Sequence, residues 1–80
     1  MAHYGEREYE VTINGDEVIV QIAFEYKGRE TAYHSVELIG AQDADTGADV
    51  LDYIRNTCTI DGRMSLEQYY IDRITSYLND

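Results

Sequence analysis

The chain has 80 residues, the size of one small domain whose core contributes only a few kcal/mol to stability. Sixteen acidic and six basic residues give a formal net charge of −10, which excludes direct binding to nucleic-acid phosphates or anionic membranes. The 44% hydrophobic share is typical of a folded protein, and eight tyrosines suit a thin core or a binding surface. This composition favours a basic protein or a cation as the partner.

Cysteine use and the N-terminus predict the compartment. The single cysteine, Cys58, cannot form an internal disulfide, and the N-terminal residues lack the basic and apolar segments of a secretory signal. No apolar stretch approaches the roughly 18 residues that suggest a membrane span. Since no proline, repeat or low-complexity stretch marks a linker, we expect one cytoplasmic domain over residues 1–80.

The first predicted element is a half-buried strand over about 7–13, where apolar and polar residues alternate. It runs into Asn14 and Gly15, the pair best suited to the positive φ angles of a type I′ hairpin turn. Residues 1–6 precede the alternation and are expected to be loose. The apolar side of the strand consists of Tyr9, Val11 and Ile13.

Two further strands are predicted over about 17–26 and 30–39. In the third strand, Val36 and Leu38 mark the side that faces the core. A three-stranded sheet with one apolar side is marginal by itself, so the rest of the chain must cover that side. The core side of the second strand consists of Val18, Val20, Ile22, Phe24 and Tyr26.

Apolar residues then recur at helical spacing over about 46–58 and predict an amphipathic helix. Asp45 or Thr46 is expected to cap its first turn, with Asp49 near the positive end of the helix dipole. Cys58 is expected on the buried stripe, as a small apolar residue rather than a nucleophile. The stripe consists of Val50, Leu51, Ile54 and Cys58.

A second helix is predicted over about 65–78, because Ser65 and Gln68 match the capping-box pattern. The order of elements predicts an α+β domain: a three-stranded antiparallel meander covered on one face by two C-terminal α-helices (βββαα). The helix residues expected to face the sheet or the first helix are Leu66, Tyr70, Ile71, Ile74, Tyr77 and Leu78.

The segment Asp45-Thr46-Gly47-Ala48-Asp49 (DTGAD) is similar to the sequence around the catalytic carboxylate of retroviral aspartic proteases. In that family apolar strand residues precede the motif, and a second apolar-apolar-Gly segment lies far downstream. Here residues 42–44 are polar or small, and the nearest candidate, residues 60–62, follows soon after and contains Asp61. DTGAD is therefore interpreted as the opening of a helix. No enzyme is expected, since the chain has no Ser-centred elbow and no glycine-rich phosphate loop.

Four aspartates lie close together with no basic residue between them: Asp43, Asp45, Asp49 and Asp52. On the predicted helix, Asp45, Asp49 and Asp52 would share one face, with one carboxylate about every 5.4 Å. Such a face would fit a basic groove that binds DNA or RNA. The EF-hand pattern is excluded, because Gly47 and Ile54 stand where it requires ligands. An irregular, weak calcium site and a merely solvated helix flank are the alternatives.

The outer side of the sheet mixes acidic, apolar and tyrosine side chains, which indicates a second docking surface. Glu8, Glu10 and Glu25 form its acidic patch, and Tyr33 is its interfacial aromatic residue. His34 lies on the predicted core side and has no neighbour at zinc-ligand spacing. We expect no metal and no cofactor.

Small size, acidity and the βββαα layout together resemble the small inhibitor proteins of phages and mobile elements, of the anti-CRISPR or DNA-mimic type. The resemblance is one of class and composition. It implies a non-enzymatic protein that docks on a basic, nucleic-acid-binding surface of a partner protein or nucleoprotein complex in the host cytosol. The four aspartates would supply the contact. The alternative function is an antitoxin-like or assembly module that forms a homodimer through its sheet.

Overall fold

The computed structural model describes residues 3–28, 35–59 and 62–79. It confirms the predicted α+β fold: three antiparallel strands form one open sheet in the order β1-β2-β3, and two helices follow. Tyr33 and His34, singled out from the sequence, lie outside the described residues. The elements are β1 (His3–Ile13), β2 (Asp16–Lys27), β3 (Ser35–Asp43), α1 (Leu51–Asn56) and α2 (Leu66–Leu78).

The predicted two-residue turn joins β1 to β2. Asn14 and Gly15 have φ angles of 53° and 87°, and Ile13 pairs with Asp16 across the turn. Positive φ at both central residues gives the turn the twist of the flanking strands. The turn therefore fixes a register in which the predicted core sides of both strands face the helices.

β1 begins earlier than predicted. Residues 3–6 pair with residues 23–26 of β2, so the prediction of a loose N-terminus over residues 1–6 was wrong for residues 3–6. The apolar alternation breaks at Gly5, which stands on the core side of β1. A Cβ atom added to Gly5 would lie 2.7 Å from Cζ of Phe24, so the glycine makes room for that ring.

β3 ends later than predicted. Its pairing with β2 shifts after Leu38, where Ile39 is an extra residue that forms a β-bulge. The bulge reverses the alternation, so both Leu38 and Ala41 are buried in the core. The predicted strand stopped at residue 39 because a regular alternation stops there, whereas β3 continues to Asp43.

α1 is shorter than the predicted helix over 46–58. It has six residues, and the chain before it turns at residues 44–46 and passes through Gly47 with a φ of 75°. DTGAD therefore forms a turn and not the first turn of a helix. The prediction that Asp45 or Thr46 caps the helix was wrong.

Backbone pairing with β3 explains the late start of α1. The N–H of Asp43 donates to the carbonyl of Ala48 (2.9 Å), and the N–H of Val50 donates to the carbonyl of Ala41 (2.9 Å). Residues 48–50 lie beside the end of β3 because these bonds satisfy their backbone groups there. The helix begins where the pairing ends.

Cys58 is exposed, and the prediction that it lies on a buried helix stripe was wrong. α1 ends at Asn56, and Thr57 is extended with φ −111° and ψ 139°. Helical periodicity therefore does not reach Cys58, which instead forms an isolated antiparallel bridge with Ser65.

α2 begins at the predicted cap. The Ser65 hydroxyl oxygen accepts a hydrogen bond from the N–H of Gln68 (3.1 Å), while the Gln68 side chain donates to Asp72 (2.9 Å) rather than back to the cap. Tyr70 and Ile74 are buried. The prediction that Tyr77 faces inward was wrong: Tyr77 is 53% exposed, and its ring packs against the guanidinium group of Arg7.

The core is one cluster of side chains between the inner face of the sheet and the helices. Arg55 of α1 connects the elements around this cluster. Its Nε lies 3.1 Å from Oε2 of Glu67 in α2, and its Nη2 donates a hydrogen bond to the carbonyl of Leu38 in β3 (3.3 Å). One side chain of α1 thus holds both α2 and β3. The buried residues are Val11, Val20, Ile22, Phe24, Leu38, Ala41, Ile54, Tyr70 and Ile74.

Gly5→Ala should destabilise the protein, because the new methyl group would overlap the Phe24 ring, whose nearest atoms lie 2.7 and 2.9 Å away. Overpacking of this kind costs about 1–3 kcal/mol. Gly40→Ala is the matched control, since its nearest neighbour, Cβ of Ala23 at 3.7 Å, is an ordinary contact. Urea denaturation followed by circular dichroism measures both. Equal free energies of unfolding for the two variants would contradict the packing of Phe24 over Gly5.

Candidate functional site

The outer face of the sheet carries a group of glutamates. Strand alternation places Glu8 and Glu10 of β1 and Glu25 of β2 on this face, opposite to the core. Glu6, Glu17 and Glu37 join them, and Glu6 was missed because residues 1–6 were expected to be loose. Among the described residues of this face, the basic side chain is Lys27, at the end of β2. We call the following set the acidic face: Glu6, Glu8, Glu10, Glu17, Glu25 and Glu37.

Carboxylates of the acidic face lie beside one another. Glu25 stands directly opposite Glu37 in the β2–β3 ladder, and Glu10 is diagonal to Glu17 in the β1–β2 ladder. The hydrogen bond with Glu17, together with its negative charge, raises the pKa of the Glu10 carboxyl above its ordinary value. Like charges at such positions oppose folding. A cationic partner would therefore relieve a repulsion that the isolated domain contains.

A chain of polar side chains crosses the same face. Nε2 of Gln21 donates to Oε2 of Glu6 (2.8 Å), and Nε2 of Gln42 donates to Oε1 of Gln21 (3.3 Å). These bonds connect all three strands and hold the Glu6 carboxylate against the sheet. The rest of the acidic face surrounds this polar centre.

The aspartates lie in the segment 43–52, which we call the aspartate loop. The carboxylate of Asp43 accepts hydrogen bonds from the N–H groups of Asp45 (2.8 Å) and Thr46 (3.2 Å). The carboxylate of Asp49 accepts one from the N–H of Leu51 (2.9 Å). Asp43 and Asp49 thus stabilise the conformation of the loop, as short acidic side chains commonly do in turns.

The predicted row of carboxylates along one helix face does not form. Asp52 lies in α1, whereas Asp45 and Asp49 precede the helix. The physical cause is the pairing of residues 48–50 with β3. All three side chains are exposed, so the loop presents its charge from an irregular backbone.

A shallow cleft of about 330 Å³ separates the acidic face from the aspartate loop. Glu6 and Gln21 line it on the sheet side, and Asp49 and Leu51 line it on the loop side. The acidic face and the aspartate loop, which were predicted as separate patches, therefore border one cleft. A partner that covers the cleft would meet carboxylates from both.

The outer edge of β1 is covered only in part. Ile13 and Asp16 flank a two-residue turn, so odd-numbered residues of β1 bond to β2 and even-numbered residues direct their backbone groups outward. Hydroxyls of Tyr70 and Tyr53 donate to the outward carbonyls of Glu10 (3.3 Å) and Thr12 (3.2 Å). Burial raises the pKa of Tyr70, which keeps its hydroxyl protonated as a donor.

Arginine and tyrosine side chains meet where β1 approaches α2. Cζ of Arg7 lies 3.8 Å from the ring centroid of Tyr77 and 5.7 Å from that of Tyr9. Cζ of Arg73 lies 5.6 Å from the centroid of Tyr69. Cation–π contacts of this kind tie the core side of β1 to the helix. The cations of this region therefore lie on the face opposite to the acidic face.

A groove of about 840 Å³ lies beside residues 10–12 of β1, and Cys58, Met64 and Tyr69 are among its lining residues. Across the described ranges, no three His, Cys, Asp or Glu side chains are grouped as a metal site would require. The groove is mostly apolar.

No protein-family model, curated protein or solved structure matches this chain. Neither helix in the described part of the chain is long and apolar enough to cross a membrane. Charged and hydrogen-bonding groups open to a partner lie on three surfaces: the acidic face, the aspartate loop and the edge of β1.

Glu17→Gln should lower the pKa of Glu10, because the substitution removes the neighbouring carboxylate that raises it. The raised pKa means that folded Glu10 holds its proton more tightly than the unfolded chain does. The free energy of unfolding should therefore fall as the pH rises through that pKa, and Glu17→Gln should weaken this dependence. NMR titration of the carboxyl carbons measures the pKa. Glu37→Gln, which removes a charge from the same face but pairs with Glu25, should leave it unchanged.

Proposed function

We propose that this protein is a non-catalytic acidic binding protein that docks on a basic, nucleic-acid-binding surface of a partner and inhibits it. Small phage inhibitors of the anti-CRISPR or DNA-mimic type act in this way. The observation that carries the proposal is the clustering of six glutamates on one face of the sheet, where their like charges oppose folding. We expect the protein to act in the cytoplasm.

The geometry of β1 supports recognition by a nucleic-acid-binding surface. Glu6, Glu8 and Glu10 project from one strand on the same side, so successive carboxylates are about 6.8 Å apart. A regular row of negative charge attracts the Lys and Arg side chains that otherwise neutralise phosphates. Long-range attraction of this kind speeds association and weakens with added salt.

Two aspartates of the aspartate loop are proposed to contact the partner, and two stabilise the loop. Asp45 and Asp52 are exposed and are proposed to contact the partner directly. Asp43 and Asp49 bond to the backbone of the loop and position it beside the acidic face. Replacing all four would therefore confuse loss of contact with loss of loop structure.

Three double variants, each removing two negative charges, test the proposal. Glu8→Gln with Glu25→Gln alters the acidic face, and Asp45→Asn with Asp52→Asn alters the loop. The matched control is Asp16→Asn with Asp72→Asn. It also removes two negative charges, but from positions beside the hairpin turn and on α2. Each protein competes with a fluorescent DNA duplex for a lysine-rich histone, at low and at physiological salt.

The first two variants should compete about fivefold less well, since exposed ion pairs contribute about 0.2–1 kcal/mol each. The control should compete nearly as well as the wild-type protein, and wild-type competition should fall steeply with salt. An equal loss in all three variants would show that net charge alone acts. That result would overturn the proposal, as would competition by the wild-type protein that is equally strong at low and at physiological salt.

A further inference from the structure

The two edges of the sheet are protected unequally. On β3, the side chain of Arg55 bonds to the outward carbonyl of Leu38, and the backbone of residues 48–50 pairs with Ala41 and Asp43. On β1, tyrosine hydroxyls cover single carbonyls at Glu10 and Thr12. An exposed strand edge is a template for another strand, and natural sheets usually cover or interrupt it.

The uncovered part of β1 is its first half. Tyr4, Glu6 and Glu8 direct their backbone N–H and C=O groups outward, by the alternation that the Ile13–Asp16 pair sets. In the described part of the chain, no helix or loop backbone bonds to these three residues on that side. The open stretch from residue 4 to residue 8 is about 17 Å long, enough for a five-residue strand.

A second copy of this chain fits the edge poorly. Residues that face each other across an antiparallel ladder project their side chains on the same side of the sheet. If β1 paired antiparallel with itself, outward residues would face outward residues, so in a register centred on Glu6 or on Arg7 the Glu6 side chain would lie opposite a glutamate of the other copy. Like charges directly opposite each other destabilise a sheet.

We infer that the open edge of β1 accepts an extended segment of the partner protein in which Lys or Arg alternates with apolar residues. The inference rests on the proposed function and names the form of the basic partner. The basic side chains lie over the acidic face, opposite Glu6 and Glu8. Main-chain bonds to the edge supply affinity, and the alternation of side chains supplies specificity.

The other side of the added strand meets a different surface. Its apolar side chains lie beside the core side of β1, where Arg7 packs on Tyr77 and Tyr9 follows. Beyond Glu8 the edge is closed by Tyr70, and the groove beside residues 10–12 begins. A segment that leaves the edge there can place one apolar side chain in that groove.

Synthetic peptides test the inference. The probe alternates Lys with Val, and an isomer with the same composition groups its lysines together. Two N-methylated versions of the probe separate main-chain pairing from charge. In one version the backbone nitrogens of the lysines are methylated. When the lysine side chains lie over the acidic face, these are the amides that face β1, so the methyl groups block pairing. In the other version the backbone nitrogens of the valines are methylated, and these methyl groups point away from β1. Fluorescence anisotropy measures affinity, and hydrogen exchange reports protection of the Glu6 and Glu8 amides.

The alternating peptide should bind and slow exchange of the Glu6 and Glu8 amides. Methylation at lysine should weaken binding at least about tenfold, methylation at valine should leave it nearly unchanged, and the grouped isomer should bind less tightly. Equal binding of both methylated peptides would overturn strand addition. If both methylated peptides bound equally well and the double variant Glu8→Gln with Glu25→Gln bound them less tightly, the proposed docking by charge would be supported and strand addition would be wrong.

A second copy is distinguished by mass. Protection of the Glu6 and Glu8 amides without peptide, together with a doubled mass in solution, would show that β1 pairs with itself and would overturn the inference. If no basic peptide binds and the histone competition also fails, the proposed function fails with it. If the histone competition succeeds while every peptide fails, the inference alone is wrong.

Discussion

Burial of the inner face of β2 is the constraint on which the rest of this domain depends. Val20, Ile22 and Phe24 are almost inaccessible to solvent, and each such side chain contributes about 1.5–3 kcal/mol when it leaves water. A domain of 80 residues has few of them to bury. Both helices and the bulge in β3 serve to cover this one face, and the glycine opposite Phe24 leaves room for its ring. The opposite face of the same strands then has no part in the core.

The freedom of the outer face explains how the domain tolerates its charge. Repulsion between Glu25 and Glu37 and between Glu10 and Glu17 acts at the surface, where water and salt screen it. The same carboxylates would be far more costly inside. The core and the proposed binding surface thus lie on opposite sides of one sheet, and the charge of the outer side can vary with little effect on the packing of the inner side.

Regular periodicity made most of the fold predictable. The hairpin at Asn14 and Gly15, the core side of β2 and the capped start of α2 followed from local patterns that the structure confirms. The errors occur where a long-range contact overrides a local signal. Gly5 belongs to β1 because it pairs with Phe24 of β2, whose ring needs the space that a glycine leaves, and residues 48–50 pair with β3 instead of extending α1. No pattern within the segment reveals either contact.

The acidic residues of the candidate surface were visible in the sequence, but their arrangement was not. Alternation placed Glu8, Glu10 and Glu25 on one side, whereas the aspartates were assigned to a helix that begins after Asp49. The closed edge of β3 has one more consequence. Outward backbone groups of Leu38, Ala41 and Asp43 are already hydrogen-bonded within the chain, so the β1 strand of another copy cannot pair with β3 along these residues. Head-to-tail stacking of sheets, which builds fibres, is blocked there even though the first half of β1 is uncovered.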